Sequence, residues 1–349
     1  MTPYAIISTD WHISSDNVEL SKSLAAQQIE LAKERKVTKL ICLGDVFESR
    51  KAQPENVLTC FHDILNMIEE NSMHLYVIPG NHDKTDYKSV SSFLTPFANH
   101  PAISLIDESS SFRINNTSNV WLHFLPFFQD DIWVEKLNPI KDLIDANNKG
   151  KHYLFSHQSM NGSRNNDGSK VESRIDSELL SKFDMCYFGH YHDEQQPLIN
   201  AIHLSSWKQK NFGEDDNKGF YVLNLINNEQ LDIERVESNY PKYHTFELTT
   251  ENAPGTLPTL VELKQGQGAN VRVKVKGSTS ELKALPLNLF TDAGIKVQTI
   301  DVEEINKIQE TETIQDYEKP ETLIDAFKEF CEEKRFDFKQ GIEFLKKVL

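Results

Sequence analysis

The sequence contains few cysteines and no long apolar segment. Its four cysteines, Cys42, Cys60, Cys186 and Cys331, include no CxxC pair, so we expect them to be reduced, buried and structural. No stretch is apolar for long enough to cross a membrane, and the N-terminal segment MTPYAIISTDWH lacks the basic and apolar regions of a signal peptide. These absences predict a cytoplasmic protein that works away from membranes.

Positive charge is also scarce. The chain carries 37 lysines and arginines against 53 aspartates and glutamates, a formal net charge of −16. Nucleic-acid-binding proteins usually present a basic face, so this balance argues against loose, non-specific DNA binding by this chain alone. It does not exclude phosphate chemistry, because bound divalent cations reverse the local charge of a site, and a basic partner could supply backbone contacts.

The length and pattern of the chain predict several domains. A length of 349 residues exceeds what one hydrophobic core usually organises. Residues 1–240 alternate β-rich and helical segments, which indicates an α/β fold, and several late strands follow one another directly, which indicates an antiparallel portion. Residues 241–301 look like a small α+β module. Residues 302–319 are acidic and polar like a linker, and 320–349 have a helical pattern that opens at Pro320.

The individual elements follow from hydrophobic periodicity. The predicted helices are 19–36, 55–71 and one near 280–290. The predicted strands are 4–8, 39–44, 73–80, 102–106, 111–115, 119–125, 151–156, 184–189, 199–204, 218–226, 230–237, 246–250, 271–277 and 295–301.

Five short polar motifs stand out because each comes directly after a predicted strand. They are Asp10-Trp11-His12, Gly44-Asp45, Gly80-Asn81-His82-Asp83, His157 and Gly189-His190-Tyr191-His192. Taken singly, each has an ordinary structural explanation, such as a polar turn, a helix cap or a structural histidine. Taken together they are specific, because α/β proteins bind ligands at the carboxyl ends of their strands.

The residue types in these motifs predict a metal site. Imidazole, carboxylate and amide ligands without a thiolate favour Mn, Fe, Zn or Mg. His190 and His192 occupy alternate positions, so on an extended segment they would point the same way. That arrangement suits two neighbouring metals or one metal that is chelated twice.

The order of the motifs resembles the calcineurin-like metallophosphoesterase superfamily over roughly the first 240 residues. The resemblance implies a two-sheet α/β sandwich that binds two divalent metal ions, with Mn as the expected ion and Mg, Fe or Zn as alternatives. It implies that two cations clamp the phosphate and stabilise in-line displacement by an activated water. It also implies that His82 faces the phosphate as the catalytic non-ligand residue, while Asp83 either orients His82 or closes the turn.

The same resemblance implies a ligand set with a shared carboxylate, that of Asp45. One metal would be held by Asp10, His12, Asp45 and His192. The other would be held by Asp45, Asn81, His157 and His190.

Three further segments are similar to SbcD-type (Mre-type) recombination nucleases. They are GDVFESRKAQPENV, then HQSMNG at 157–162, which is similar to small subunits of T-even phage recombination endonucleases, and a run with Ser205-Ser206-Trp207, Phe212-Gly213-Glu214 and Lys218-Gly219-Phe220. This similarity implies a DNA exonuclease and endonuclease that acts in double-strand break repair, recombination and replication. If phage-encoded, it would act in the host cytoplasm.

The nuclease resemblance also implies partners. These are DNA and an SMC-like coiled-coil ATPase of the SbcC type, with a homodimer of this chain inside a heterotetramer. Residues 241–301 would cap the DNA, and 320–349 would dock on the ATPase, unless that helical segment packs on its own domain. Its candidate anchors are Leu323, Phe327, Phe330, Phe338, Ile342 and Leu345. Candidate DNA contacts are Arg50, Lys51, Arg164, Lys170, Lys208 and Lys210.

Two other functions fit the motifs. One is a metallophosphatase or phosphodiesterase that acts on a small phosphodiester or a phosphoprotein. The other is a scaffold with a purely structural metal site. His82 argues against the scaffold, because a structural site has no use for a non-ligand histidine beside the phosphate. We expect the remaining histidines to be structural or surface residues. His123 is the least certain of them, because it lies beside an apolar run.

Overall fold

A computed structural model describes residues 1–165 and 168–302. Nearly all of the predicted linker and the whole predicted helical segment 320–349 lie outside the described residues. The chain divides into two compact units. The first comprises Met1–His244 with Gly268–Asn270, and the second comprises Thr245–Gln267 with the described residues 271–302.

The first unit is built from two six-stranded sheets and three α-helices. Its strands are β1 (Thr2–Ser8), β2 (Lys39–Cys42), β3 (His74–Val77), β4 (Ile103–Leu105), β5 (Ser110–Arg113), β6 (Val120–Leu125), β7 (Lys151–His157), β8 (Met185–Gly189), β9 (Gln195–Leu198), β10 (Ala201–His203), β11 (Gly219–Ile226) and β12 (Gln230–Glu237). Its helices are α1 (Val18–Arg35), α2 (Glu55–Glu70) and α3 (Asp130–Ala146), with a 3-10 helix at Thr95–Phe97.

Both sheets have a parallel centre and antiparallel additions. The first has the order β12-β11-β1-β2-β3-β4, in which β1 to β4 are parallel and β11 pairs antiparallel with both β1 and β12. The second has the order β5-β6-β7-β8-β10-β9, in which β6, β7, β8 and β10 are parallel. The predicted α/β fold with an antiparallel portion is therefore confirmed.

The two sheets pack face to face, with helices on their outer faces. Alternate residues of β1 show this, since Ile7 belongs to the core between the sheets and Ile6 to the core beneath α1 and α2. In β7, Phe155 belongs to the same central core, while Leu154 packs in the core with Trp133 of α3. Strands that are buried on both faces have nearly continuous apolar sequences, which is why these runs were recognisable.

The remaining elements are β13 (Tyr243–Thr249), α4 (Ala253–Gln267), β14 (Asn270–Gly277), α5 (Thr279–Ala284), α6 (Asn288–Asp292) and β15 (Lys296–Asp301). The strands form one sheet in the order β13-β14-β15, with β14 parallel to β15. Val271, Val273 and Val275 alternate into the buried face of β14. The single helix predicted near 280–290 is instead two short helices.

The sequence pattern missed two helices, α3 and α4. Each contains an internal proline, Pro139 in α3 and Pro258 in α4, which normally argues against a helix. Cys42, Cys60 and Cys186 are buried and unpaired, as predicted. No helix in the described part of the chain is long and apolar enough to span a bilayer.

Candidate metal centre

The five motifs meet at one edge of the sandwich. Asp10 follows β1, Asp45 follows β2 and Asn81 follows β3 in the first sheet. From the second sheet, His157 ends β7 and His190 follows β8. Parallel strands bring their carboxyl ends to the same edge, so residues that are far apart in sequence become neighbours.

Backbone hydrogen bonds hold the first two loops against each other. The main-chain N–H of Asp10 donates to the carbonyl oxygen of Gly44 at 3.0 Å, and that of His12 donates to the carbonyl oxygen of Asp45 at 2.9 Å. Gly44 has a φ of +92°, and a Cβ atom there would lie 2.7 Å from the backbone nitrogen of Gly80. Only glycine fits without strain at this point, where the loop after β2 passes close to the loop after β3.

Four of the site residues have left-handed backbone conformations. Asp10, His12, Asp45 and His190 have φ values of 52°, 48°, 52° and 94°, and they are half of the eight non-glycine residues with positive φ among those described. Such conformations cost roughly 1–3 kcal/mol each and concentrate at functional sites. The prediction of an extended segment from His190 to His192 is wrong at His190, because the chain turns there.

Asp10, His12 and His192 form the first cluster of potential metal ligands. Their ligand atoms lie within 4.8 Å of one another, and the Nε2 atoms of His12 and His192 are 2.9 Å apart. The Nδ1 atom of His12 lies 3.0 Å from Glu48 Oε2, and Nδ1 of His192 donates to Glu214 Oε1 at 2.8 Å. With the protons on Nδ1, both of these close Nε2 atoms carry lone pairs, and a cation bound by both would remove their repulsion.

Asp45, His157 and His190 form the second cluster, with Asn81 at its centre. The Oδ1 atom of Asn81 lies 3.1 Å from His157 Nε2 and 2.9 Å from His190 Nδ1. His157 Nδ1 donates to the carbonyl oxygen of Leu43 at 2.6 Å, which leaves Nε2 facing the cluster. His190 has a pKa lowered to about 3, mainly by burial, so its imidazole is neutral and suited to metal binding.

Asp45 lies between the two clusters. Its Oδ2 atom is 3.7 Å from His12 Nε2, and its Oδ1 atom is 3.3 Å from His157 Nε2. Burial alone would lower the pKa of His157, but the charge of Asp45 raises that pKa to about 9. In the absence of a metal, a proton on His157 therefore supplies the positive charge that the buried carboxylate requires.

The donor set fits divalent cations. Asp10 and Asp45 are only 1% and 2% exposed, and their ion-pair partners within residues 1–165 and 168–302 are all histidines. Buried carboxylates need compensating charge, and no lysine or arginine provides it in this part of the chain. Oxygen and imidazole ligands without thiolate are those that Mn, Fe, Zn and Mg accept.

His82 lies beside both clusters without belonging to either. Its Nδ1 atom donates to the carbonyl oxygen of Glu48 at 2.5 Å, and its Nε2 atom accepts from Arg50 Nη2 at 2.8 Å. His12, Glu48 and His82 form a third group of potential ligands. However, Glu48 Oε2 also lies 2.8 Å from Lys210 Nζ, and both ring nitrogens of His82 have hydrogen-bond partners. The Glu48 and His82 atoms of this group are therefore already engaged in polar contacts.

Asp83 closes the turn, which is the second of the two roles considered for it. Its carboxylate accepts from the main-chain N–H groups of Gly80 at 2.8 Å, Phe47 at 3.0 Å and Val46 at 3.3 Å. Burial, followed by the charge of Asp45, raises the pKa of Asp83 to about 7. Asp83 therefore ties the loop after β3 to the loop after β2.

Comparison with known families identifies this architecture. The calcineurin-like phosphoesterase family matches residues 5–194, which is more than half of the chain. The chain belongs to the calcineurin-like phosphoesterase family. The predicted family and its two-sheet fold are thereby confirmed, and membership makes the protein a metal-dependent hydrolase of phosphoesters.

Individual relatives of this phosphoesterase are distant. Exonuclease subunit 1 of Enterobacteria phage T4 is 22% identical over 200 residues, which are 56% of this chain and 56% of that protein. The chain thus spans little more than half the length of this relative. A dimetal phosphatase from Danio rerio is similar with a TM-score of 0.48, 11% identity, and coverage of 67% of this chain and 96% of its own. A nuclease from Pseudomonas putida has a TM-score of 0.28, 14% identity, and coverage of 62% and 84%.

The phosphoesterase site has supporting residues whose roles the sequence did not reveal. Glu48 contacts His12, and interactions with His12 and Lys210 outweigh the effect of burial and lower the pKa of Glu48 to about 2. Glu214 contacts His192, and Lys218 Nζ donates to the carbonyl oxygen of His192 at 2.7 Å. Glu214 and Lys218 lie in the segments that resemble SbcD-type nucleases, so the only sequence signal was that resemblance.

One predicted DNA contact is wrong. Lys208 is only 4% exposed, and its Nζ atom donates to the carbonyl oxygen of Trp11 at 2.6 Å. It fixes the loop between Asp10 and His12 and cannot reach DNA. Among the other candidates, Arg50 contacts His82, Lys210 pairs with Glu48, and Lys51, Arg164 and Lys170 are exposed. Their contact with DNA stays a prediction.

The Glu214→Gln variant should bind divalent cations about 10- to 100-fold more weakly than the wild-type protein, the usual effect of weakening a carboxylate that orients a ligand histidine. Glutamine keeps an oxygen that can accept from His192 Nδ1 but loses the negative charge. Calorimetric titration of chelator-treated protein with Mn measures the effect. Glu229→Gln, on the exposed turn before β12, is the control and should bind Mn normally. Equal affinities in all three proteins would show that Glu214 does not support the site.

Proposed function

We propose that this phosphoesterase is a metal-dependent DNA nuclease subunit with exonuclease and endonuclease activity, which acts in double-strand break repair, recombination and replication. The observation that carries the proposal is the pair of ligand clusters that meet at Asp45 with His82 beside them. The choice of DNA over other phosphoesters is supported by the similarity to a phage protein named as one subunit of an exonuclease.

The two clusters would hold one divalent cation each, with Mn as the expected ion. The first would use Asp10, His12, Asp45 and His192, and the second would use Asp45, Asn81, His157 and His190. When bound, such a pair neutralises the phosphate oxygens and makes water a competent nucleophile near neutral pH. The chain contributes fixed ligand orientations, because Glu48, Glu214 and the Leu43 carbonyl hold the outer nitrogens of three ligand histidines.

His82 would act on the leaving group. Its Nδ1–H bond to the Glu48 carbonyl fixes the ring and leaves Nε2 as the atom that faces the site. A proton held at Nε2 can stabilise or protonate the departing oxygen. Arg50 Nη2 lies 2.8 Å from the same Nε2 atom and donates to it while the ring is neutral; once Nε2 is protonated, the guanidinium group would be released toward the position of the phosphate.

The proposed partners are DNA and an SMC-like coiled-coil ATPase of the SbcC type, with two copies of this chain in a heterotetramer in the cytoplasm. Residues 241–301 would cap the DNA, and 320–349 would dock on the ATPase. The word "subunit" in the name of the phage relative supports an assembly of more than one chain.

Digestion of linear and hairpin DNA tests the proposal. Protein loaded with Mn, with and without the ATPase from the same source, should shorten linear duplexes and open hairpins, and excess EDTA should stop both reactions. Failure of the fully metallated protein to cut DNA alone or with the ATPase would overturn the proposal. Rapid turnover of a phosphopeptide or a small diester, without any cleavage of DNA, would favour the phosphatase or phosphodiesterase alternative.

A further inference from the structure

An open surface cavity of about 590 Å³ is lined in part by Phe127, whose ring lies next to His157 and His190 of the second ligand cluster, and no role in the proposed chemistry uses it. Its lining residues are Tyr87, Phe127, Gln129, Asp130, Asp131, Glu172, Ser173 and Arg174. We refer to it as the aromatic cavity.

Phe127 forms the wall that separates the aromatic cavity from the cluster. Its ring centroid lies 6.2 Å from those of His157 and His190, and its plane is within 21° of the plane of His190. Its main-chain N–H donates to the carbonyl oxygen of Pro79 at 3.0 Å, just before the loop that carries Asn81. The cavity therefore begins one aromatic ring away from the place where a phosphate would be bound.

The aromatic cavity offers a planar ligand two perpendicular rings. Tyr87 stands with its ring centroid 5.1 Å from that of Phe127 and at an angle of 83° to it. The main-chain carbonyl of Tyr87 accepts from the N–H of Gln129 at 3.0 Å, which anchors the loop that carries the ring. Tyr87 is partly exposed, whereas Phe127 is 9% exposed, so Tyr87 presents the larger accessible surface. Such a corner accepts a flat ring by stacking on one face and edge contact on the other.

The charges around the aromatic cavity select against a second phosphate. Asp130, Asp131 and Glu172 contribute three carboxylates, and the one cationic side chain in its lining, Arg174, already pairs with Asp131. Carboxylates repel a phosphate but accept hydrogen bonds from the amino and imino groups of nucleobases. The lining therefore fits a base better than it fits the sugar-phosphate backbone that continues from the site.

We propose that the aromatic cavity receives the nucleobase of the nucleotide whose phosphate is bound at the two clusters, with the base stacked on Tyr87. The inference rests on the proposed function to the extent that the substrate is a nucleic acid. A base in this cavity has left the helical stack, so the enzyme would act on strand ends, hairpin loops and other unpaired nucleotides in preference to intact duplex.

Two substrates with the same leaving group test this proposal. Thymidine 5′-(p-nitrophenyl phosphate) carries a base, and methyl p-nitrophenyl phosphate carries none. In the Mn-loaded protein, Tyr87→Ala should lower kcat/KM for the thymidine ester about 5- to 100-fold, the range found for removal of a base-stacking side chain, and should leave the methyl ester unchanged. Tyr87→Phe should retain wild-type values. Phe112→Ala, which removes another partly exposed aromatic ring outside this cavity, should also retain them.

A binding measurement gives a readout that does not depend on catalysis. In EDTA, Tyr87→Ala should weaken the binding of a fluorescent single-stranded oligonucleotide, as measured by anisotropy, while Phe112→Ala should not. Equal losses for both esters, or no loss for the thymidine ester, would overturn the inference. Wild-type protein that hydrolyses the methyl ester but neither the thymidine ester nor DNA would overturn the proposed function as well. Wild-type protein that cuts DNA, with Tyr87→Ala equally active, would overturn the base site alone.

Discussion

The Asp45→Asn variant should lose stable binding of divalent cations and at least about 10³-fold of its phosphoesterase activity, since metal ions supply several kcal/mol of transition-state stabilisation. The two carboxylate oxygens of Asp45 face different clusters, one toward His12 and one toward His157. Asparagine replaces one of these oxygens with an NH₂ group, which has no lone pair for a cation, and removes the shared negative charge.

Metal analysis after gel filtration and hydrolysis of methyl p-nitrophenyl phosphate measure this effect. The metal-free variant should melt at a lower temperature than metal-free wild type, because the substitution removes the carboxylate that pairs with the protonated His157. The rise in melting temperature on addition of Mn should be lost. Asp142→Asn, on the exposed face of α3, serves as the matched control. Two tightly bound metals per Asp45→Asn chain would show that Asp45 does not bridge the clusters.

The His82→Ala variant should keep both metals and lose about 10²- to 10⁴-fold in kcat, the contribution typical of a general acid or base. His82 contacts the Glu48 carbonyl and Arg50 but stands outside the two clusters at Asp45. Its removal should therefore leave the ligand atoms in place while the leaving group loses its proton donor.

Metal content and single-turnover rates on a DNA hairpin separate these two properties. His62→Ala, an exposed histidine of α2, is the control and should behave as wild type. Loss of metal from the His82 variant would make His82 a ligand. Full cleavage by a well-metallated variant would remove it from the mechanism. Loss of cleavage with retained metal would also exclude a purely structural metal site.

The sequence indicated which residues come together where chemistry and strand position coincide. Asp10, Asp45 and His157 could be identified because each ends an apolar run, and strand ends of one sheet edge must converge. The supporting residues could not be identified in this way. Glu214 reaches His192 only because the intervening chain passes through β9 and β10 and returns, a path that no local pattern encodes.

The sequence pattern also failed to predict the burial of one side chain and the backbone turn at another residue. Lys208 lies two positions before Lys210 in sequence, but only the structure shows that Lys208 is buried and donates to the Trp11 carbonyl. The alternation of His190 and His192 suggested an extended segment, whereas the positive φ of His190 sends the two side chains to different clusters. Both failures come from tertiary contacts that override the local pattern.

The position of β1 makes the metal centre depend on a strand that comes much later in the chain. Strand β1, which delivers Asp10, lies inside the first sheet and pairs on one side with β11 at Gly219–Ile226. The ribosome makes the chain from the N-terminus, so β1 emerges early and keeps an open edge until β11 follows. A chain broken off between His192 and Gly219 would carry every proposed ligand but neither β11 nor all of the support for its sheet. We therefore expect such a chain to lack an ordered metal centre.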